Sequence, residues 1–516
     1  MVAGPITLCY KGRVRPAVKI LTVATAALAV GLLFAPVLSF SLMGDDFQWV
    51  QHAHKASRRV AHLLADLDSF YRPTTTWTLA LDRLFWQQRS WGFHLTNLLL
   101  HAAAAAMLCL VAGRFGLGVG PALAAGLLWG VSPFAEESAV SVAIRFEDLL
   151  LLCWLSLALP WPRPGERGNP KLLALLTVLA MLSKETWVVT PALVFALAWG
   201  FSRDSLAATF KKALVFFAGA LLYVGVYFLC FPGDKNYFRY DLRVLAKVPH
   251  SLAAFLHLEQ PVPLEFPFTL RGGLATVVVL WLVALAVRTR HPAGIFGASL
   301  LFAPMLPTLL VPYQPSRYLV APYAGFLLLV LASLAVFFQK LGERRRRIAS
   351  VAADFVALLV LLAHVFPVRA DLQDWARVSD AHARLVRQAE AVAGEFPLDR
   401  PVAVVRADGT NVLRDIALSV EGWPKLFYVR GSDPAGLIDA AALFEWVLYR
   451  EDLQVRPVVE SPGSLNRRGA VLLYTRDGFR WVSRDEPNLQ VAVEAWRGRG
   501  FPVRVIEVRP LPRLTL

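Results

Sequence analysis

The sequence predicts a polytopic α-helical membrane protein of about 11 transmembrane helices, followed by a small α/β domain. Three observations predict it. The 516 residues are 56% hydrophobic and 18% charged, with a mean hydropathy of +0.50, too apolar for a soluble chain of this length. Apolar runs of spanning or near-spanning length recur, each bounded by charge, Gly or Pro. The basic residues fall in alternate connections between those runs, which is the positive-inside pattern. That pattern also accounts for the net charge of +15, so no nucleic-acid partner is expected.

The first run follows Lys11, Arg13, Arg15 and Lys19 and ends near Leu42. It has spanning length and no small-x-small cleavage site after it, so it reads as a membrane helix and not a cleaved signal. Further runs lie at about 93 to 112, 116 to 134, 144 to 161, 171 to 183, 186 to 201, 210 to 231, 273 to 288, 293 to 311, 318 to 338 and 348 to 367. Arg114, then Arg163, Arg167 and Lys171, then Arg203, Lys211 and Lys212, then Arg288 and Arg290, then Lys340 with Arg344 to Arg347, occupy alternate loops with the N-terminal cluster. Those loops belong on the cytoplasmic side of a plasma (inner) membrane, which leaves the acidic and long loops, and everything after Pro367, outside.

Within the first outer loop, Val60 to Phe70 and Trp77 to Trp86 have the pattern of helices lying in the interface, as does Leu245 to Leu258. Residues 1 to 367 thus form a membrane domain, and 368 to 516 a soluble one outside the membrane. In the latter, helices are expected at Asp380 to Ala393, Leu437 to Leu448 and Leu489 to Arg497. Strands are expected at Pro401 to Arg406, Val471 to Tyr474 and Val503 to Val508.

Candidate chemistry gathers on the outer side. Asp45 and Asp46 follow the first helix in LMGDDFQW. A carboxylate there can take a proton from an acceptor hydroxyl, while its neighbour binds the loop or caps a helix. Glu136 and Glu137 form a second acidic pair, and a helix starting at Glu136 would put Glu137, Ser141, Arg145 and Asp148 on one face. Lys184 and Glu185 in LSKET, and Arg317 in PSRYL, are cations and an acid in short loops that need no charge; phosphate binding and headgroup anchoring are both open to them. His94, Asn97 and His101 share a helix face, and hydrogen bonding between helices suits them better than a metal. The four cysteines suggest no disulfide framework and no thiolate metal site.

At these residues the chain resembles a known family. GDDF after the first helix, YRPTTTWTLALDRLFW from Tyr71, WGFHLTNLLLH from Trp91, SPFAEESAVSVAIRFEDLL from Ser132, LSKET from Leu182, SRYLVAPYAGF from Ser316 and DWARVSDAHARLVRQA from Asp374 come in one order over residues 40 to 390. They are similar to the GT-C superfamily of multi-spanning glycosyltransferases that use polyprenyl-phosphate-linked sugars. The branch is that of the transmembrane O-mannosyltransferases bearing tetratricopeptide repeats and their bacterial relatives.

The resemblance implies that Asp45 or Asp46 is the catalytic base and that Glu136 or Glu137 is the second acidic group. It implies that Arg72, Arg145, Lys184, Glu185, Arg317 and Tyr318 meet the substrate, with the cations near the lipid phosphate. Ser132 before Pro133 and Ile144 before Arg145 depart from the family pattern, and the small C-terminal domain stands where the repeats would be, so sugar and acceptor are not carried over. The implied partners are a polyprenyl-phosphate-linked sugar, the bilayer and a hydroxyl-bearing acceptor: protein, glycolipid or envelope glycan. No resident cofactor is expected, although the two acidic pairs could hold a divalent cation. A lipid or glycan transporter would show internal repeats and broken helices in matching halves, which the sequence lacks. A non-catalytic scaffold would be indifferent to loss of the acids.

Overall fold

The computed structural model describes residues 16–58, 70–161, 169–201, 205–230, 245–259, 268–309 and 316–393, and five strands beyond them. The helices in chain order are α1 (Pro16–Phe34), α2 (Asp46–Arg58), α3 (Pro73–Trp86), α4 (Ser90–Arg114), α5 (Val119–Gly130), α6 (Glu136–Val140), α7 (Phe146–Leu157) and α8 (Pro170–Met181). They continue with α9 (Thr190–Phe201), α10 (Leu206–Cys230), α11 (Lys247–Phe255), α12 (Leu270–Thr289), α13 (Pro292–Phe302), α14 (Met305–Thr308), α15 (Val320–Gln339) and α16 (Glu343–Ala393).

The protein is a polytopic helical membrane protein. Among the described residues five helices are long and apolar enough to cross a membrane: those beginning at Pro16, Ser90, Leu270, Ser316 and Glu343. Several of the other expected spans are apolar helices of 10–17 residues. A 12-residue helix rises only about 18 Å, short of a hydrocarbon core of roughly 30 Å. These segments gain length from what adjoins them: the 3₁₀ turn Glu185–Val189 runs directly into α9, and α13 is followed within three residues by α14. The segment expected at Val60 to Phe70 lies almost wholly outside the described residues.

The helix expected at Asp380 to Ala393 is the end of α16, which runs unbroken through Pro367. Proline removes one backbone donor without forcing a stop when neighbouring groups take up the freed carbonyl. The apolar run ends at Pro367, and the part of α16 beyond it carries Arg369, Asp371, Asp374 and Arg377.

The chain divides into two compact units. The first comprises Met1–Val37, Leu63–Thr78 and His94–Leu372; the second comprises Leu38–His62, Leu79–Phe93 and Gln373–Leu516. The first holds the densest helix packing, where α13 lies against α15. Gly297 and Gly325 allow this approach: a Cβ on Gly297 would come within 2.7 Å of both Gly325 O and Leu329 N, and one on Gly325 within 2.6 Å of Gly297 O. Small residues at such crossings let backbones touch, which is how helices associate where no hydrophobic force separates helix from lipid.

The second unit contains β1 (Val402–Arg406), β2 (Leu453–Glu460), β3 (Ala470–Thr475), β4 (Gly478–Val482) and β5 (Val503–Pro510). They form one sheet in the order β2-β5-β1-β3-β4. β1 pairs parallel with β3 and antiparallel with β5, and the remaining pairs are antiparallel. Strands occupy the three expected segments, with β2 and β4 in addition. The helices expected at 437–448 and 489–497 lie outside the described residues.

The glycine contact yields a prediction. Gly325→Ala lowers the unfolding midpoint in detergent, by the equivalent of ~1–3 kcal/mol of overpacking. Gly273→Ala, where nothing lies within 4 Å, leaves it unchanged or slightly raised.

Candidate active site

The acidic stretch after α5 is not one helix. α6 ends at Val140, Ser141 is extended (φ −86°, ψ 124°), a 3₁₀ turn spans Val142–Ile144, and α7 begins at Phe146. The break is held from α4: the Asn97 amide donates to Ser141 O at 2.7 Å and to Ser138 O at 3.3 Å, supplying partners to carbonyls left by the ending helix. The expected shared face of Glu137, Ser141, Arg145 and Asp148 therefore does not form. Asp148 turns to His101, whose Nδ1 lies 3.2 Å from the carboxylate and whose Nε2 lies 3.0 Å from Gly130 O. His101 and Asn97 thus tie helices together, as their spacing predicts. His94 is buried on the same helix.

Glu137 goes instead to the start of α15. Arg317 donates to it from Nη1 at 2.6 Å and from its backbone N at 3.2 Å, and Ser316 Oγ donates at 3.0 Å. Just before α3, Arg72 grips Glu185 with both arms of its guanidinium, at 2.9 and 2.8 Å. Lys184 pairs with Glu147 in the first turn of α7.

Two aromatic rings interleave these pairs. Phe146 lies under Arg72 (3.9 Å) and beside Lys184 (5.4 Å); Tyr318 lies beside Lys184 (5.0 Å) and Arg317 (5.5 Å). The ring faces add cation–π attraction where water is scarce. Burial pulls the Lys184 ammonium below its ordinary range, and the Glu147 charge opposes that pull.

A small cleft opens on this row, with Glu147, Trp154, Lys184, Thr186, Arg317 and Tyr318 on its wall. Of the candidate residues, Lys184, Arg317 and Tyr318 line it. Arg72, Glu137 and Glu185 stand one contact away, bonded to or stacked with the lining groups or their neighbours. Arg145 is wholly buried at the start of α7, and Glu136 is buried in the first turn of α6.

Glu147 is the site residue that the sequence left unassigned. Its signal in the sequence is its place beside Asp148 among the charges of a helix start. Lys247 is a second: buried on α11, it donates to the carbonyl of Thr308 on the cleft wall, and burial pulls it down to about 8. Among the described residues no group of three or more His, Cys, Asp or Glu side chains is gathered as a metal would need.

In the second unit the adjacent aspartates differ in burial. Gly44, at φ +50°, closes a turn in which Asp46 N donates to Met43 O and Asp46 Oδ2 accepts from Met43 N at 3.0 Å. Asp46 is buried in this turn, whereas Asp45 is exposed at the head of α2. The turn is clamped from α16. Ser379 Oγ accepts from Ser41 N at 2.8 Å, and His382 Nε2 accepts from Gly44 N at 3.2 Å while Nδ1–H donates to Val378 O. Both imidazole nitrogens are committed, one as donor and one as acceptor, so the ring is neutral.

Burial pulls His382 down to about 4, with the Val378 carbonyl acting in the other direction. Because the folded value is below the ordinary one, the stability that the clamp contributes is complete above about pH 6.5 and is lost as pH falls toward 4. Wild type therefore loses on the order of 3 kcal/mol more than His382→Ala across that window. The check is the unfolding midpoint of both proteins as a function of pH; parallel curves contradict the clamp.

No family model matches the chain. Over 214 residues, 37% of the chain, it is 29% identical to the protein O-mannosyl-transferase Tmtc2 of Drosophila melanogaster, and it spans 23% of that relative's length. Two crystal structures of ArnT from Cupriavidus metallidurans align with it. The apo state gives a TM-score of 0.49 at 12% identity, over 95% of this chain and 97% of that one. The form bound to undecaprenyl phosphate gives 0.47 at 14% identity, over 96% and 98%.

Proposed function

We propose that the protein is an integral-membrane glycosyltransferase of GT-C type, which moves a sugar from a polyprenyl-phosphate donor to a hydroxyl acceptor with inversion. The observation that carries the proposal is the convergence of Lys184, Arg317 and Tyr318 on one cleft inside an apolar unit. Burying cations in such a unit is costly, and a site that must hold a phosphate in the membrane is a reason to bear that cost. Similarity to an O-mannosyl-transferase supports the same class of reaction.

The roles follow from the chemistry. Lys184 and Arg317 bind the donor phosphate, and as the bond to the sugar breaks they face more negative charge than in the ground state, so they stabilise the transition state preferentially. Tyr318 holds the two cations apart at fixed distances. Arg72, Glu185 and Glu137 fix the row. Of Asp45 and Asp46, the exposed Asp45 is the one proposed to take the proton of the acceptor hydroxyl. Reaction takes place on the outer side of the plasma membrane, with the N-terminus cytoplasmic, about 11 spans, and a C-terminal α/β domain outside.

The test is sugar transfer from radiolabelled polyprenyl-phosphate sugars by purified protein in lipid. Asp45→Asn is expected to lower the rate at least ~100-fold with an unchanged unfolding midpoint. Asp46→Asn, which keeps an acceptor for Met43 N, retains most of the rate. The reverse pattern transfers the base to Asp46, and full activity in both variants removes the base from this loop.

A further inference from the structure

Three carboxylates of the first unit pair with the three cations of the row, and they are not held alike. Glu137 accepts three hydrogen bonds, from Ser316 Oγ, Arg317 N and Arg317 Nη1. Glu185 is gripped by the fork of Arg72. Glu147 has a single hydrogen bond among the described residues, to Lys184 Nζ. Of the three it is also the one on the cleft wall, together with Lys184.

An ammonium has three donors and one charge. Phe146 and Tyr318 flank Lys184 Nζ, and Glu147 takes its place beside the cleft. A phosphate oxygen that reaches Lys184 from the cleft meets Glu147 on the same cation, and two anions on one buried cation repel each other strongly. One of them must give way, and the singly held carboxylate is the one able to.

We infer that Glu147 is a competitor built into the site, an internal carboxylate that the donor's phosphate must displace from Lys184. The inference rests on the donor-phosphate reading of the cleft and adds to it a control on affinity and selectivity. A ligand with a phosphate alone gains too little to evict Glu147. A phosphate joined to a polyprenyl chain gains the burial of its chain as well. Charged groups around Glu147 are Lys184, Arg317 and Arg72, with Glu137 and Glu185 behind the two arginines.

The test is equilibrium binding of a fluorescent polyprenyl phosphate to the full chain in phosphatidylcholine nanodiscs, with inorganic phosphate as a second probe. Glu147→Gln removes the competing charge, Glu147→Asp withdraws it by one methylene, and Lys184→Met removes the cation. Expected are binding at least tenfold tighter in Glu147→Gln, a smaller gain in Glu147→Asp, a loss of tenfold or more in Lys184→Met, and detectable competition by inorganic phosphate in Glu147→Gln.

Glu147→Gln no tighter than wild type, with Lys184→Met weakened, overturns the inference and leaves the donor reading standing: Glu147 would then serve only to orient Lys184. Lys184→Met equal to wild type removes the phosphate from this cleft, and the inference with it. If Glu147→Gln does not fold, Glu147→Asp decides by the same sign.

Discussion

A charge inside an apolar helical unit must find a partner, and this requirement organises the first unit. Arg317 meets Glu137 across 180 residues, Arg72 meets Glu185 across 113, His101 meets Asp148 across 47, and Lys184 meets Glu147 across 37. Such pairs are poor sources of net stability, because desolvation consumes most of the Coulombic gain. Losing one partner, however, costs about 3–5 kcal/mol, so each pair fixes which segments must adjoin. The function proposed here grows out of the same constraint. Buried cations stabilise a departing phosphate more than fully solvated ones could, and carboxylates close enough to neutralise them offset the cost of their burial.

The second unit solves a different problem, that of holding a short acidic loop still. Gly44 supplies the left-handed turn, Asp46 closes it, and Ser379 and His382 bond its backbone from α16. The neutral imidazole matters because only its unprotonated Nε2 can accept from Gly44 N. Asp45 is thereby presented, exposed, from a turn held at Ser41 N, Met43 N and Gly44 N.

Much of this was legible in the sequence because it rests on local signals. Apolar runs gave the helices, and charges in short loops gave Lys184, Glu185 and Arg317. The three-to-four spacing on α4 gave Asn97 and His101. What escaped depends on partners distant in the chain. No local rule ends α6 at Val140; the Asn97 amide from α4 does so. The division between Asp45 and Asp46 depends on which carboxylate reaches Met43 N, and adjacent identical residues carry no such information. Pro367 reads as a stop, yet α16 continues through it. Glu147 gained its place only when Lys184, 37 residues later, arrived beside it.

The most direct measurement is an experimental structure of the protein in nanodiscs with a polyprenyl-phosphate sugar bound. The phosphate is expected within hydrogen-bond reach of Lys184 Nζ and the Arg317 guanidinium, with Glu147 turned away from Lys184 and the Glu137 bonds to Arg317 and Ser316 intact. A phosphate bound elsewhere, with the Lys184–Glu147 pair undisturbed, would contradict this.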